Sequence, residues 1–202
     1  MDITVKCLAV RFPSKRAAAF FEQPRLANLY GLLVKPTNIA RPGDPESRKM
    51  PFIECLWMPA YAVLLRTTVR GQEKMMWTSV DAWAGDVTLF DAVVELEPCE
   101  KTDAFLPPGL DETQAAQAAR SGLQKYILRR RGQMNKPVIE AVEQIELFYF
   151  PLWIYYFARR GKHIDIKLLD AVTGKSAGPK TRLGVLNALV ADRRGAACDI
   201  NP

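Results

Sequence analysis

The chain has 202 residues, 49% apolar and 25% charged, which is the ordinary balance of a folded globular protein. Disordered, collagen-like and coiled-coil readings are excluded, and the length lets a fold bury about 70% of its unfolded surface without a metal or a disulfide. Residues 1–100 carry 12 Lys+Arg against 12 Asp+Glu and residues 101–202 carry 16 against 10, so the whole +6 excess lies in the second half.

In chain order, residues 3–12 have the β-branched content of a strand. The sequence opens without a cationic segment leading into a long apolar run, so no secretory signal is expected and the location read from sequence is cytoplasmic. Residues 14–34 predict a helix capped by Ser14 and broken near Pro24, and residues 42–51, with Gly43 and Pro45, an exposed loop. A strand then begins at Ile53, turns at Arg70-Gly71 and returns to Asp81. Residues 97–109, with Pro98, Pro107, Pro108 and Gly109, are linker-like. Asp111 is a fitting N-cap for a helix over 113–131, which ends in Arg129, Arg130 and Arg131 before Gly132. A second long strand precedes Arg160-Gly161, and a last helix over 180–194 places Leu183, Leu186, Leu189 and Val190 on one stripe.

These elements repeat. Residues 53–59 read I-E-C-L-W-M-P and residues 145–151 read I-E-L-F-Y-F-P, at an offset of 92. Each run passes an Arg-Gly turn and ends in a shared D-A-x-[AT]-G at offset 89, Asp81 to Gly85 and Asp170 to Gly174. The expected fold is α+β: two pseudo-symmetric halves, 1–100 and 101–202, each a helix followed by antiparallel strands, with 56–65 and 147–157 as central strands. The helix-then-hairpin order, with second strands ending V-D-A-x-x-G or L-D-A-x-T-G, resembles PepSY-type domains, cystatin-like units in which a helix packs on an antiparallel sheet. That resemblance implies the same fold for each half and carries no catalytic residue.

The four cysteines, Cys7, Cys55, Cys99 and Cys198, contain no C-x-x-C pair, and His163 is the only histidine. Zinc-site spacing is absent, and in a reducing compartment the cysteines read as thiols filling apolar space. No dinucleotide, P-loop, nucleophile-elbow or zinc-protease motif occurs, so no cofactor, metal or catalytic residue is assigned. The longest apolar run, 147–158, falls short of the ~20 residues of a spanning helix. It is apolar on both faces at strand period, so some other element must cover it.

The function expected from sequence is therefore a non-catalytic protein-binding or assembly module using an aromatic sheet face, with Trp57, Tyr61, Tyr149, Trp153 and Tyr155 as the contact residues. The partner expected is a protein, with self-association open. Four acids form the polar candidates. Glu54 and Glu146, each two residues from an aromatic, are the acid-base pair of a rival enzyme reading. Asp81 and Asp170 are expected to hold their turns by Asx hydrogen bonds. Weak nucleic-acid binding by the basic second half is the other alternative.

Overall fold

Two strands long enough to run through most of the molecule organise it: β3 (Ile53–Val69) and β7 (Val138–Arg159). In the computed structural model, which describes residues 4–22, 37–38, 53–91, 95–102, 104–129, 136–159 and 163–198, they are neighbours in one mixed sheet. The other strands are β1 (Thr4–Leu8), β2 (Thr37–Asn38), β4 (Gln72–Asp81), β5 (Val87–Leu89), β6 (Leu96–Glu100) and β8 (His163–Asp170). The sheet order is β5-β4-β3-β7-β1-β6, with β2 and β8 also paired to β7. The helices are α1 (Ser14–Glu22), α2 (Glu112–Arg129) and α3 (Pro179–Cys198). The fold is thus α+β, and the two segments read as central strands lie in β3 and β7. The expected Pro24 break, the 42–51 loop, the Arg160-Gly161 turn and the Gly132 helix end lie outside the described residues.

The chain forms two compact units, and each draws on both halves of the sequence. The first comprises Met1–Ala9, Trp57–Phe150 and Leu183–Pro202. Its hairpin pairs β3 with β4 from Ala60↔Asp81 to Val69↔Gln72, leaving Arg70 and Gly71 as a two-residue turn with φ of 53° and 75°. Positive φ at both positions is the type I′ geometry that matches strand twist, and Gly71 accepts it without cost to a side chain. Alternate residues of β3 go to opposite faces. Tyr61, Val63 and Leu65 pack with Ala115, Ala119, Leu123 and Ile127, one four-residue-spaced stripe of α2, while Ala60 and Ala62 pack with Phe90 and Phe148. The α2 alanines, and Gly122 against Val87, let the helix lie close to the strands. Asp111 starts α2 as a reciprocal cap: its Oδ1 accepts the Gln114 N–H at 2.8 Å and Gln114 Oε1 accepts the Asp111 N–H at 3.0 Å.

In the same unit β1 pairs antiparallel with β6 and parallel with β7. This corrects the linker reading of 97–109, since Glu97–Glu100 are strand. Pro98 is tolerated because β6 ends the sheet, where one missing N–H breaks no ladder on the outer side. The pairing also brings the Cα atoms of Cys7 and Cys99 to 6.2 Å, within disulfide range, and the two are bonded. The expectation of four thiols is corrected for this pair. Its 92-residue separation is invisible to spacing rules, because only strand pairing joins its ends.

The second unit comprises Val10–Leu56 and Pro151–Arg182. Here β7 pairs antiparallel with β8 from Leu152↔Asp170 to Arg159↔His163, and Thr37 and Asn38 of β2 pair with β7 as well. Ala17 and Phe21 of α1 pack on Tyr155 and Leu169, with Phe21 stacked on Tyr155 at 5.4 Å. The residues of alternate parity, Leu152, Ile154, Tyr156, Ile166 and Leu168, are buried too. The helix on this hairpin therefore comes from the start of the chain, and the helix on the β3–β4 hairpin comes from beyond residue 110.

Candidate functional site

The four acids divide by task. Asp81 Oδ1 accepts the N–H groups of Trp83 and Ala84, each at 2.8 Å, and the Asp81 carbonyl accepts Gly85 N–H at 2.9 Å. Asp170 Oδ1 accepts Val172 N–H at 2.8 Å and Thr173 N–H at 3.1 Å, its Oδ2 accepts the Thr173 hydroxyl at 2.9 Å, and its carbonyl accepts Gly174 N–H at 2.8 Å. These are the Asx turns expected from sequence, closed in each case by a glycine at positive φ, 64° and 69°. Burial pushes the Asp81 carboxyl above its usual range; the two turn N–H groups pull it back and Asp86 adds to the rise.

Glu54 and Glu146 belong to different compact units. Glu54 lies in the second unit and its Oε1 accepts the hydroxyl proton of the buried Tyr156. Glu146 lies in the first and forms a 2.5 Å ion pair with Lys6. A pair of carboxylates working on one substrate has to flank one bond. Each of these has its own neighbour instead. Beside Glu54, the half-buried Cys55 thiol is pushed up to about 11, mainly by burial and further by the Glu54 charge, which leaves it a poor nucleophile at neutral pH.

The five aromatic candidates are placed as follows. Tyr61, Tyr149 and Tyr155 are buried, and Trp57 and Trp153 are half-buried. Trp57 stacks on Phe105 at 5.1 Å, and Phe105 meets the edge of Tyr149 at 4.9 Å. Tyr61 donates its hydroxyl proton to the Leu110 carbonyl at 2.8 Å, and Trp153 donates its indole N–H to the Phe12 carbonyl at 2.7 Å. Each ties down the segment that leads into the helix covering its own hairpin. Burial, and then the charges of Glu112 and Asp111, push the Tyr61 hydroxyl above its usual range, and burial does the same to Tyr149. The Tyr61 hydroxyl and the Trp153 indole N–H thus serve internal hydrogen bonds and the three tyrosines are buried, while Trp57 and Trp153 keep part of their surface exposed.

Exposed apolar side chains occur on α3, where the sequence marks a stripe of Leu183, Leu186, Leu189 and Val190 without assigning it a side. On α3 the buried residues are the small ones, Gly184, Val185 and Ala188, whereas Leu183 is 60% exposed and Val190 50%. The reason is close approach. A Cβ on Gly184 would sit 3.4 Å from the Trp83 Cβ and 3.7 Å from Asp81 Oδ1, so the helix rests on the D-A-x-x-G turn and only small side chains fit between. Leu183, Asn187 and Val190, at helical spacing, form the exposed stripe, and Leu186 at its edge is half-buried. Glycine and alanine at 184 and 188 were the legible signal, because small residues four apart mark a helix face in close contact.

No group of three or more His, Cys, Asp or Glu among the described residues is placed to hold a metal, and none of their helices is long and apolar enough to cross a membrane. No family model, curated protein or solved structure matches the chain.

Proposed function

We propose that the protein is a non-catalytic protein-binding module and that its docking face is the outer stripe of α3. The observation that carries this reading is the exposed face of that helix: Leu183 and Val190 stand out to solvent while Gly184, Val185 and Ala188 are buried and Leu186 and Leu189 are half-buried. Leaving two such side chains, two helical turns apart, 60% and 50% exposed forgoes about half of the ~1.5–3 kcal/mol that full burial of each supplies, which a partner groove recovers. The sequence of α3 carries Lys180, Arg182, Arg193 and Arg194 against Asp192 alone, and with Arg182 paired to Asp165 the helix still keeps a net positive charge, so two copies would meet with like charge. The partner that fits is a different protein presenting an apolar groove rimmed by carboxylates.

Affinity capture with the chain and with a Leu183→Glu, Val190→Glu variant tests this. Both changes are at exposed positions, so stability in urea is expected to hold within about 0.5 kcal/mol. The wild type is expected to retain a stoichiometric partner and the variant to lose it; equal capture by both refutes the docking face. Changing Glu54 and Glu146 to Gln addresses the enzyme reading, since loss of an activity with unchanged stability would favour it.

We also infer that the chain is an internal duplication whose two repeats exchange helices. Three sets of contacts support this. Ala82 N–H reaches the Pro59 carbonyl at 3.2 Å and Ala171 N–H the Pro151 carbonyl at 3.1 Å. The Ala82 carbonyl accepts Gly109 and Leu110 N–H, as the Ala171 carbonyl accepts Arg11 and Phe12 N–H. Ala115 and Ala119 of α2 stand over Val63 and Val80 as Ala17 and Phe21 of α1 stand over Tyr155 and Leu169. The likeness to PepSY-type domains would then hold for each helix-plus-hairpin unit, assembled from both repeats rather than from one.

A further inference from the structure

The last turns of α2 and the start of β7 enclose a cavity of about 360 Å³. Two of the most exposed large apolar side chains of the described residues, Leu128 at 58% and Val138 at 59%, both line it. Ile127, which belongs to the core under α2, and Ile139 add to its wall. Two exposed apolar groups converging on one concavity differ from the scattered single ones that any surface carries.

Its charged residues are of one sign. Arg120 and Lys136 line the cavity, and no carboxylate does. Neither cation has a hydrogen bond or ion pair within the described residues, unlike Arg66, which reaches Glu143 at 2.9 Å, or Lys6, which holds Glu146. The cavity contains no aromatic ring to stack a base or a sugar, and its volume is at the small end of the roughly 300–1,000 Å³ of small-molecule sites. The connecting residues 130–135 include Arg130 and Arg131 and no acid, so charge does not favour the chain itself as the occupant. An apolar wall, two cations without a partner among the described residues and room for one chain together match an acyl tail with an anionic head.

We propose that this cavity binds one single-chain amphiphile with an anionic headgroup, its tail against Leu128 and Val138 and its head held by Arg120 and Lys136. The chemistry is shared by free fatty acids and by phosphate-bearing single-chain lipids. The site is separate from α3 and does not depend on the docking reading. Calorimetric titration of the full chain with decanoate, decyl phosphate and decanol, each below its micellar concentration, tests it. Saturable one-site binding of decanoate or decyl phosphate, at least tenfold tighter than decanol, is expected, and the tighter of the two anions identifies the headgroup source. Arg120→Glu with Lys136→Glu is expected to weaken the anion at least tenfold and leave decanol unchanged, while Leu128→Asp with Val138→Asp removes all three. All four residues are exposed, Arg120 and Leu128 on α2 and Lys136 and Val138 at the entry to β7, and an unchanged urea midpoint confirms that the variants fold. No saturable heat with either anion, equal affinity for decanol, or full binding by the charge-reversed variant overturns the proposal.

Discussion

Replacing Gly122 with Ala tests how closely α2 lies on its hairpin. At an open helix position the change would stabilise the protein by about 1 kcal/mol, because glycine is the poorest ordinary helix former. Here a Cβ would fall 2.4 Å from the Cβ of Val87 and 2.5 and 2.9 Å from its two methyl carbons. None of these is the far end of a flexible side chain. Val87 is β-branched and sits on β5, paired to Val80, so relief requires a shift of strand or helix. Overpacking of this kind costs about 1–3 kcal/mol, which cancels the gain in propensity and leaves a net loss of up to about 2 kcal/mol. Urea unfolding of the wild type, Gly122→Ala, Val87→Ala and the double variant measures it. The double variant is expected to be more stable than the sum of the single effects by about 1–2 kcal/mol, since the new methyl fills the space the valine leaves. A stabilised Gly122→Ala, or strictly additive effects, would refute the close approach of α2 to β5.

Three further outcomes are expected. Tyr61→Phe should cost about 1 kcal/mol in urea unfolding, through the Leu110 carbonyl left without its donor, and no change would mean that the hydroxyl is not bonded there. Because the Asp81 pKa is raised on folding, its protonated form favours the folded state, and that stabilisation is lost as pH rises from its unfolded value through its folded one. Asp81→Asn, which keeps the acceptor oxygen, should therefore gain on the wild type across that pH interval, and a difference that is flat with pH contradicts the burial argument. Intact mass under non-reducing conditions should be lighter by two hydrogens for the Cys7–Cys99 bond, and Cys55 should be alkylated slowly at pH 8 and faster toward pH 11. Rapid labelling of Cys55 at pH 8 would contradict its burial.

Features set by neighbours in sequence were legible before the structure. The Asp111 cap, the Arg70-Gly71 turn and the paired D-A-x-[AT]-G turns depend on a few adjacent residues, and each forms as the residue types require. Features set by distant pairing were not. Which helix covers which hairpin depends on the Ala82 and Ala171 carbonyls meeting segments far along the chain, and no periodicity records that choice. The same holds for Cys7 and Cys99, which only the pairing of β1 with β6 brings together. Among the site residues, composition marked Tyr61, Tyr149 and Tyr155 as sticky without telling contact from core. Leu183 and Val190 of α3 stay exposed while the helix approaches the Asp81–Gly85 turn through Gly184, a steric fact of the assembled fold.

The docking face is tested most directly by contact at one residue. Asn187 is exposed on α3 beside Leu183 and Val190, and Met75 is an equally accessible position on β4. A photoreactive phenylalanine analogue placed at 187, irradiated in the cells that make the protein, is expected to give a discrete heavier adduct, and the same analogue at 75 none. Adducts at both positions, or none at 187, would contradict α3 as the surface through which this protein binds its partner.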